Sequence, residues 1–219
     1  MSSSVPKLKA FDEFTSEYDE WFDSHPFAYQ SEVEAIRRFV PDKGLGVEIG
    51  VGTGRFSVPF SIIIGVEPSE AMAAIARSRG ITTHIANAEH LPFESERFDF
   101  AMLITTLCFL DDPKAALREV HRILKPNGRI IVAIIDKETE LGRTYESMKA
   151  SNKFYGEATF YSTQQVLDLL HQTGFIQSQT CQTIFSNPES MTALDPIRNG
   201  YGEGAFVVIH SNKQYKETK

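Results

Sequence analysis

Between residues 45 and 135 the sequence alternates short apolar runs with stretches of helical period, the feature that most narrows its fold. The apolar runs lie at 45–49 (LGVEI), 62–66 (IIIGV), 82–86 (TTHIA, the weakest), 98–105 (FDFAMLIT) and 129–135 (RIIVAII). The last is continuously apolar after its arginine, as strands covered by helices on both faces tend to be. Between the runs, 69–79 puts Met72, Ile75 and Ala76 on one helical face and stops at Gly80. A further helix is signalled by Asp112 as N-cap and Pro113 as first helical residue. Ala116, Val120, Ile123 and Leu124 form its buried stripe, and KPNG at 125–128 ends it. This alternation predicts an α/β fold: a doubly wound, mostly parallel seven-stranded sheet with helices on both faces.

The flanks are less regular. Phe11, Phe14, Tyr18 and Phe22 follow three- and four-residue steps, so 1–30 reads as an amphipathic helical segment, either packed on the domain or serving as a lid. Ser31 with Glu34 predicts a capping box opening a second helix that buries Val33, Ile36 and Val40. Beyond Asp136 the pattern loosens until Ser162 and Gln165 form another capping box, and 175–184 and 205–210 complete the strands. The polar connections 136–161 and 186–204 are the usual place for loops that shape a substrate site.

At 219 residues the chain fits one α/β domain, 1–219, with 1–30 as lid or substrate segment and 136–161 as a substrate-shaping insertion. A net charge of -7 and the lack of any basic run speak against nucleic acid and anionic membranes. The longest apolar run, 130–135, is far below the ~20 residues of a membrane span, so no membrane insertion is expected. No export signal is seen, so Cys108 and Cys181 are expected as reduced thiols in a cytoplasmic protein. The six histidines show no paired metal spacing; His90 and Cys108 are the two candidates for facing a cleft.

The turn after the first strand, VEIGVGTGR, places glycines at 50, 52 and 54. Without Cβ atoms they let a ligand lie against the peptide groups at the carboxyl end of the sheet. A dinucleotide fingerprint would have glycine or alanine where Arg55 stands, and Pro59 shortens any following helix, so a pyrophosphate is disfavoured. A nicotinamide-dependent oxidoreductase is weakened accordingly. Glu67, ending the second strand, can accept both hydroxyls of a ribose, or else can serve only as a helix-start acid beside Ser69. Asn87 and the amides after it stand where an adenine edge could be read.

Taken in order, EIGVGTG, GVEPS, NAEHLPF, FDFAML and LDDPKAALREVHRILKPNGRIIV resemble the class I S-adenosylmethionine-dependent methyltransferases. The similarity is greatest to the small-molecule branch that includes the ubiquinone and menaquinone methylases, and it runs from about residue 18 to 135. That resemblance implies a Rossmann-like methyltransferase fold, S-adenosyl-L-methionine as cofactor and a small-molecule methyl acceptor as partner. It implies Gly50, Gly52 and Gly54 beneath the methionine part, and Glu48 at its amino end. Glu67 and Pro68 fall at the ribose, Met72 near the nucleoside, and Asn87, Ala88 and Glu89 at the adenine. Thr105 and Thr106 border the sulfonium. Apart from the resemblance, the aromatic N-terminal segment offers Tyr18 as cover for the cofactor and Trp21 for the substrate, with Cys108 a candidate for the substrate side. The sequence departs from the family pattern at Asn87, where aspartate is usual, in the short segment after Gly54, and in TLCFL at 106–110, which lacks the histidine many members carry. A missing base favours nitrogen over oxygen as the acceptor atom, because a neutral amine needs no early deprotonation. A cofactor-binding module without catalysis is the alternative reading.

Overall fold

A computed structural model describes residues 5–214, with side chains from residue 9; the ends of the expected 1–219 domain lie outside it. Helices α1 (Val5–Glu13), α2 (Thr15–Ser24) and α3 (Pro26–Arg37) precede the sheet. Then come β1 (Gly46–Ile49), β2 (Ile64–Val66), α4 (Glu70–Ser78), β3 (Thr82–His84), β4 (Phe98–Ile104), α5 (Pro113–Ile123) and β5 (Leu124–Ile135). The chain finishes through α6 (Glu140–Met148), α7 (Thr163–Gln172), β6 (Phe175–Thr183), β7 (Arg198–Asn199) and β8 (Phe206–Lys213).

The sheet order is β3-β2-β1-β4-β5-β8-β6-β7. Strands β1 to β5 are mutually parallel, β8 runs antiparallel to both β5 and β6, and β7 is antiparallel to β6. The expected doubly wound, mostly parallel sheet is present with eight strands rather than seven, the extra one being the two-residue β7. Strand periodicity divides the core between the faces. Ala101 and Leu103 of β4 and Ile130 and Val132 of β5 pack with α5 and α7. Phe100, Met102, Ile104, Ile131 and Ala133 point to the other face, under Phe22, Ala28 and Ile36 of the N-terminal helices.

Local signals place most helix starts. Asp112 accepts from the Ala115 amide at 3.0 Å with Pro113 next in line, and the Ser162–Gln165 box is formed in both directions. Three expectations change. Ser31 opens no helix: α3 already starts at Pro26, and the Ser31 hydroxyl donates back to the Phe27 carbonyl at 2.7 Å. Leu124 belongs to β5 rather than to α5, and 125–128 run within that strand. The 136–161 connection contains a helix, α6, whose start is capped by Thr139 accepting from the Gly142 amide at 3.1 Å. Residues 5–30 form helices broken at Phe14, whose backbone (φ -121, ψ 29) leaves helical geometry.

Candidate cofactor cleft and acceptor chamber

From β1 the chain winds outward through β2 and β3, then returns to lay β4 and β5 on the other side. The carboxyl ends of β1 and β4 therefore part at a switch point, where open α/β sheets bind ligands. A cleft opens there. Its wall includes Gly50, Gly52, Glu67, Pro68, Met72, Asn87, Ala88, Glu89, Thr105, Thr106 and Tyr18, thirteen residues of the sequence reading less Glu48 and Gly54.

The glycines differ in what they do. At Gly50 (φ +73) a Cβ would come within 2.4 Å of Thr106 Cγ2, so this glycine lets the turn touch the end of β4. At Gly54 (φ +88) it would meet Ile81 Cδ1 at 2.4 Å, a packing role away from the cleft. Only at Gly52 (φ +54) does the missing Cβ leave space, with Met72 Cε and Tyr18 Cε1 nearest at 4.0 Å. Bare backbone thus faces the cleft floor there.

Glu67 is the best-held acid of the site. Its Oε2 accepts from the Gly52 amide at 2.9 Å and its Oε1 from the Ser69 amide at 3.0 Å, so it braces the glycine turn and the start of α4 together. Each oxygen retains a second acceptor position. Burial pushes its carboxyl up to about 7, against the pull of those two amides. Glu48 lies deeper, accepting from the Ser57 hydroxyl, and burial raises it to about 8. Glu89 turns to the amides of Asp111 and Asp112 at 3.1 and 3.3 Å, and Asn87 is exposed on the cleft's edge. His90 is exposed and lies off the cleft wall.

Arg55, which broke the dinucleotide pattern, has its own task. Its guanidinium meets both carboxylate oxygens of Asp19 at 2.9 and 2.7 Å and both of Asp23 at 2.8 and 2.7 Å. Arg79 meets the same Asp19 oxygens at 2.8 and 2.7 Å and the Thr53 carbonyl at 2.7 Å. Asp19 therefore fastens α2 to the glycine turn and to the end of α4, and those two guanidiniums hold its carboxyl well below the ordinary range despite burial. Sequence reasoning missed this cluster; two acids spaced i,i+4 on one helix were its only local sign.

A second cavity adjoins the cleft and shares four wall residues with it: Phe11, Tyr18, Thr105 and Phe109. Trp21, Glu32, Phe56, Tyr145 and Phe206 are among the rest of its wall, so α2, α3 and α6 all contribute. Cys108 lines neither, facing a small separate pocket with Ile134 and Tyr161 while its thiol donates to the Thr105 carbonyl. Thr105 takes φ +50, a left-handed backbone that for a β-branched residue costs about 1–3 kcal/mol. Its amide is held by the Ala133 carbonyl at 2.9 Å. Trp21 stacks on His25 at 4.6 Å between ring centroids and borders only the second cavity. Its emission is expected to shift when acceptor is added to cofactor-loaded protein; an unchanged spectrum at saturation would remove it from the acceptor wall.

Comparison with known proteins fits this geometry. Residues 47–132 match the family described as a methyltransferase domain. A crystal structure from Thermotoga maritima, described as an S-adenosylmethionine-dependent methyltransferase and possible histamine N-methyltransferase, is 50% identical. It covers 95% of this chain and 100% of its own, with a TM-score of 0.92. An uncharacterized protein of Methanocaldococcus jannaschii is 46% identical, over 94% of this chain and 100% of that relative. A ubiquinone/menaquinone C-methyltransferase of Haemophilus ducreyi is 34% identical over 42% of this chain and 41% of its own. The chain belongs to the class I S-adenosylmethionine-dependent methyltransferases. It is an enzyme with S-adenosylmethionine as its cofactor, and the nicotinamide and non-catalytic readings are set aside. Among the described residues no helix is long and apolar enough to cross a membrane.

Proposed function

We propose that this enzyme methylates a nitrogen of a small molecule held in the second cavity. When bound, S-adenosylmethionine supplies an activated methyl group on a sulfonium. The residues present suit it: bare backbone at Gly52, a braced carboxylate at Glu67, and apolar cover from Met72 and Tyr18. In this reading Glu67 and Pro68 hold the ribose, Asn87, Ala88 and Glu89 border the adenine, and Gly50 and Gly52 underlie the methionine part. Glu48 and Gly54 act from beneath, by supporting the turn. Thr105 and Thr106 flank the place where the methyl is delivered.

The observation that carries the nitrogen reading is the rim common to the two cavities. It consists of two phenylalanines, Thr105 and Tyr18, and none of these is a base at neutral pH. Tyr18 is pushed further from that role, since burial and then the nearby Glu67 and Glu48 raise its phenol above the ordinary value. No histidine lines either cavity among the described residues. Aligning a neutral amine and excluding water asks only for positioning. The name of the Thermotoga maritima relative, which suggests an N-methyl acceptor, agrees with this.

The chain then works as one domain in the cytoplasm, with 1–30 as the cover over both ligands and 136–161 as the acceptor-shaping insertion. Leu141, Tyr145 and 151–155 from that insertion reach the second cavity. A net charge of -7 keeps nucleic acid a poor acceptor. Single-turnover assays with matched amines, imidazoles and phenols test the chemistry. Methylated nitrogen is expected; products methylated on phenolic oxygen alone would sink the proposal.

A further inference from the structure

The second cavity is lined with rings, and its few charged side chains are mostly accounted for. Glu17 pairs with Lys153, and Glu189 lies 3.0 Å from His25 Nε2. Glu32, on α3, is the exception: among the described residues its carboxylate has no hydrogen bond and no ion pair. It stands on a wall with Trp21, Phe22, Phe56, Tyr145 and Phe206. A carboxylate left among aromatic side chains is costly unless a counter-charge joins it. An organic cation satisfies both parts of such a wall, since the carboxylate takes its charge and the ring faces attract it. An anion meets no unpaired cation on this wall among the described residues, and a neutral polyol finds too few polar partners.

Position adds a second constraint. No residue of α3 borders the cofactor cleft, whereas the rim where the cavities meet is made by Phe11, Tyr18, Thr105 and Phe109. A group held by Glu32 is therefore set back from the rim.

We propose that Glu32 recognises a positively charged nitrogen of the acceptor that is distinct from the atom receiving the methyl group. The acceptor is then two-ended: an ammonium at Glu32, an apolar or aromatic body among the rings, and a neutral nucleophile at the rim. Aminoarylalkylamines, imidazolylalkylamines and short diamines with one amine neutral have this form. The inference rests on the second cavity being the acceptor site, as proposed above, and it names what that site selects.

Proton balance provides an independent sign. Burial alone pushes the Glu32 carboxyl up to about 8, with nothing offsetting it. At pH 7 the empty site is mostly protonated. An arriving ammonium keeps its own proton and displaces the one on Glu32, which leaves to solvent, so binding at pH 7 releases protons. The other ionisable groups on this wall are Glu17 with Lys153, Glu189, whose partner His25 is off the wall, and Tyr18, Tyr145 and Tyr155. The phenols are raised by burial and stay neutral, and the Glu32→Gln variant identifies the group that exchanges.

Calorimetry on protein saturated with S-adenosylhomocysteine tests this, with histamine, tyramine, 2-phenylethylamine and 1,4-diaminobutane as probes and 2-phenylethanol and phenylacetate as controls. Amines are expected to bind at least tenfold tighter than the alcohol, and to release protons in buffers of differing ionisation enthalpy. Glu32→Gln should weaken amine binding at least thirtyfold and abolish proton release, while S-adenosylhomocysteine affinity stays within twofold. Glu32→Leu repeats the test should the amide variant fold poorly, and cofactor affinity certifies the fold in each case. Equal binding of alcohol and amine, no amine binding to wild type, or amine affinity in Glu32→Gln within threefold of wild type would each overturn the role of Glu32. Tyramine methylated on its phenol through a Glu32-dependent KM would defeat the nitrogen reading and keep this one. Histamine methylated with a KM indifferent to Glu32 would do the reverse.

Discussion

Glu67→Gln is expected to lower cofactor affinity by about 100-fold, measured as the Kd of S-adenosylhomocysteine by calorimetry. The carboxylate is proposed to accept two ribose hydroxyls, and hydrogen bonds to a charged acceptor contribute about 1.5–3 kcal/mol each, so losing the better part of both corresponds to about 3 kcal/mol. The amide also turns an NH₂ group toward either the Gly52 or the Ser69 amide, which now donate to Glu67 at 2.9 and 3.0 Å. The floor of the cleft is thereby loosened as well. A pH profile separates charge from shape. With its carboxyl raised to about 7 by burial, Glu67 gains its full acceptor capacity only as pH rises through neutrality. Wild-type affinity should climb between about pH 6 and 8, and the Gln variant should be flat across that window. Binding within threefold of wild type would remove Glu67 from the ribose.

Asp19→Ala is expected to produce the largest loss of stability. The change leaves the guanidiniums of Arg55 and Arg79 without their shared carboxylate, in a place where the Asp19 side chain is only 16% exposed. Removing one partner of a buried ionic cluster costs about 3 kcal/mol after allowance for that exposure, or roughly 6–12 °C in Tm for a chain of this size. Asp23 softens the effect on Arg55 but does not reach Arg79. Because the depressed Asp19 carboxyl is ionised in the folded protein at all ordinary pH, its contribution is present from neutrality down through about pH 4 and fades only below. Calorimetric scans of wild type and variant at pH 7 check the size. The same change should raise the KM for cofactor, since α2 carries Tyr18 to the cleft. A Tm shift below 2 °C would show that α2 is held by its aromatic packing instead.

How far the sequence foretold this molecule follows from how local each signal is. The cap at Asp112 with Pro113, the Ser162–Gln165 box and the apolar strands are written within a few residues, and the fold forms from them as expected. The Ser31–Glu34 pattern is equally local, yet Pro26 starts the helix a turn and a half earlier and converts Ser31 into an interior residue. Helix α6 has a polar sequence and a cap, Thr139, that was overlooked because no apolar stripe followed it. The cleft was legible because successive strand ends at Gly50, Glu67, Asn87 and Thr105 recur in chain order. The second cavity was not, since its wall draws on α1, α2, α3, α6 and the ends of β5 and β8. Nothing near Glu32 in sequence marks it as isolated; only the assembly of those elements does. Arg55 shows both sides: its departure from the dinucleotide pattern was visible, and its partners, 36 and 32 residues earlier, were not.

Phe11 and Tyr18 stand on α1 and α2 and face both cavities, so in the proposed reading the two ligands share one wall. A shared wall is a thermodynamic link. Whatever ordering of α1 and α2 the cofactor brings about, the acceptor finds already done, and the factor by which one ligand sharpens the other's affinity is the same from either direction. The Asp19 cluster sets the size of that factor. The tighter α2 is fastened beforehand, the less remains for either ligand to contribute to the other, and an enzyme with Asp19 removed should hold its two substrates in stronger mutual dependence than the native one.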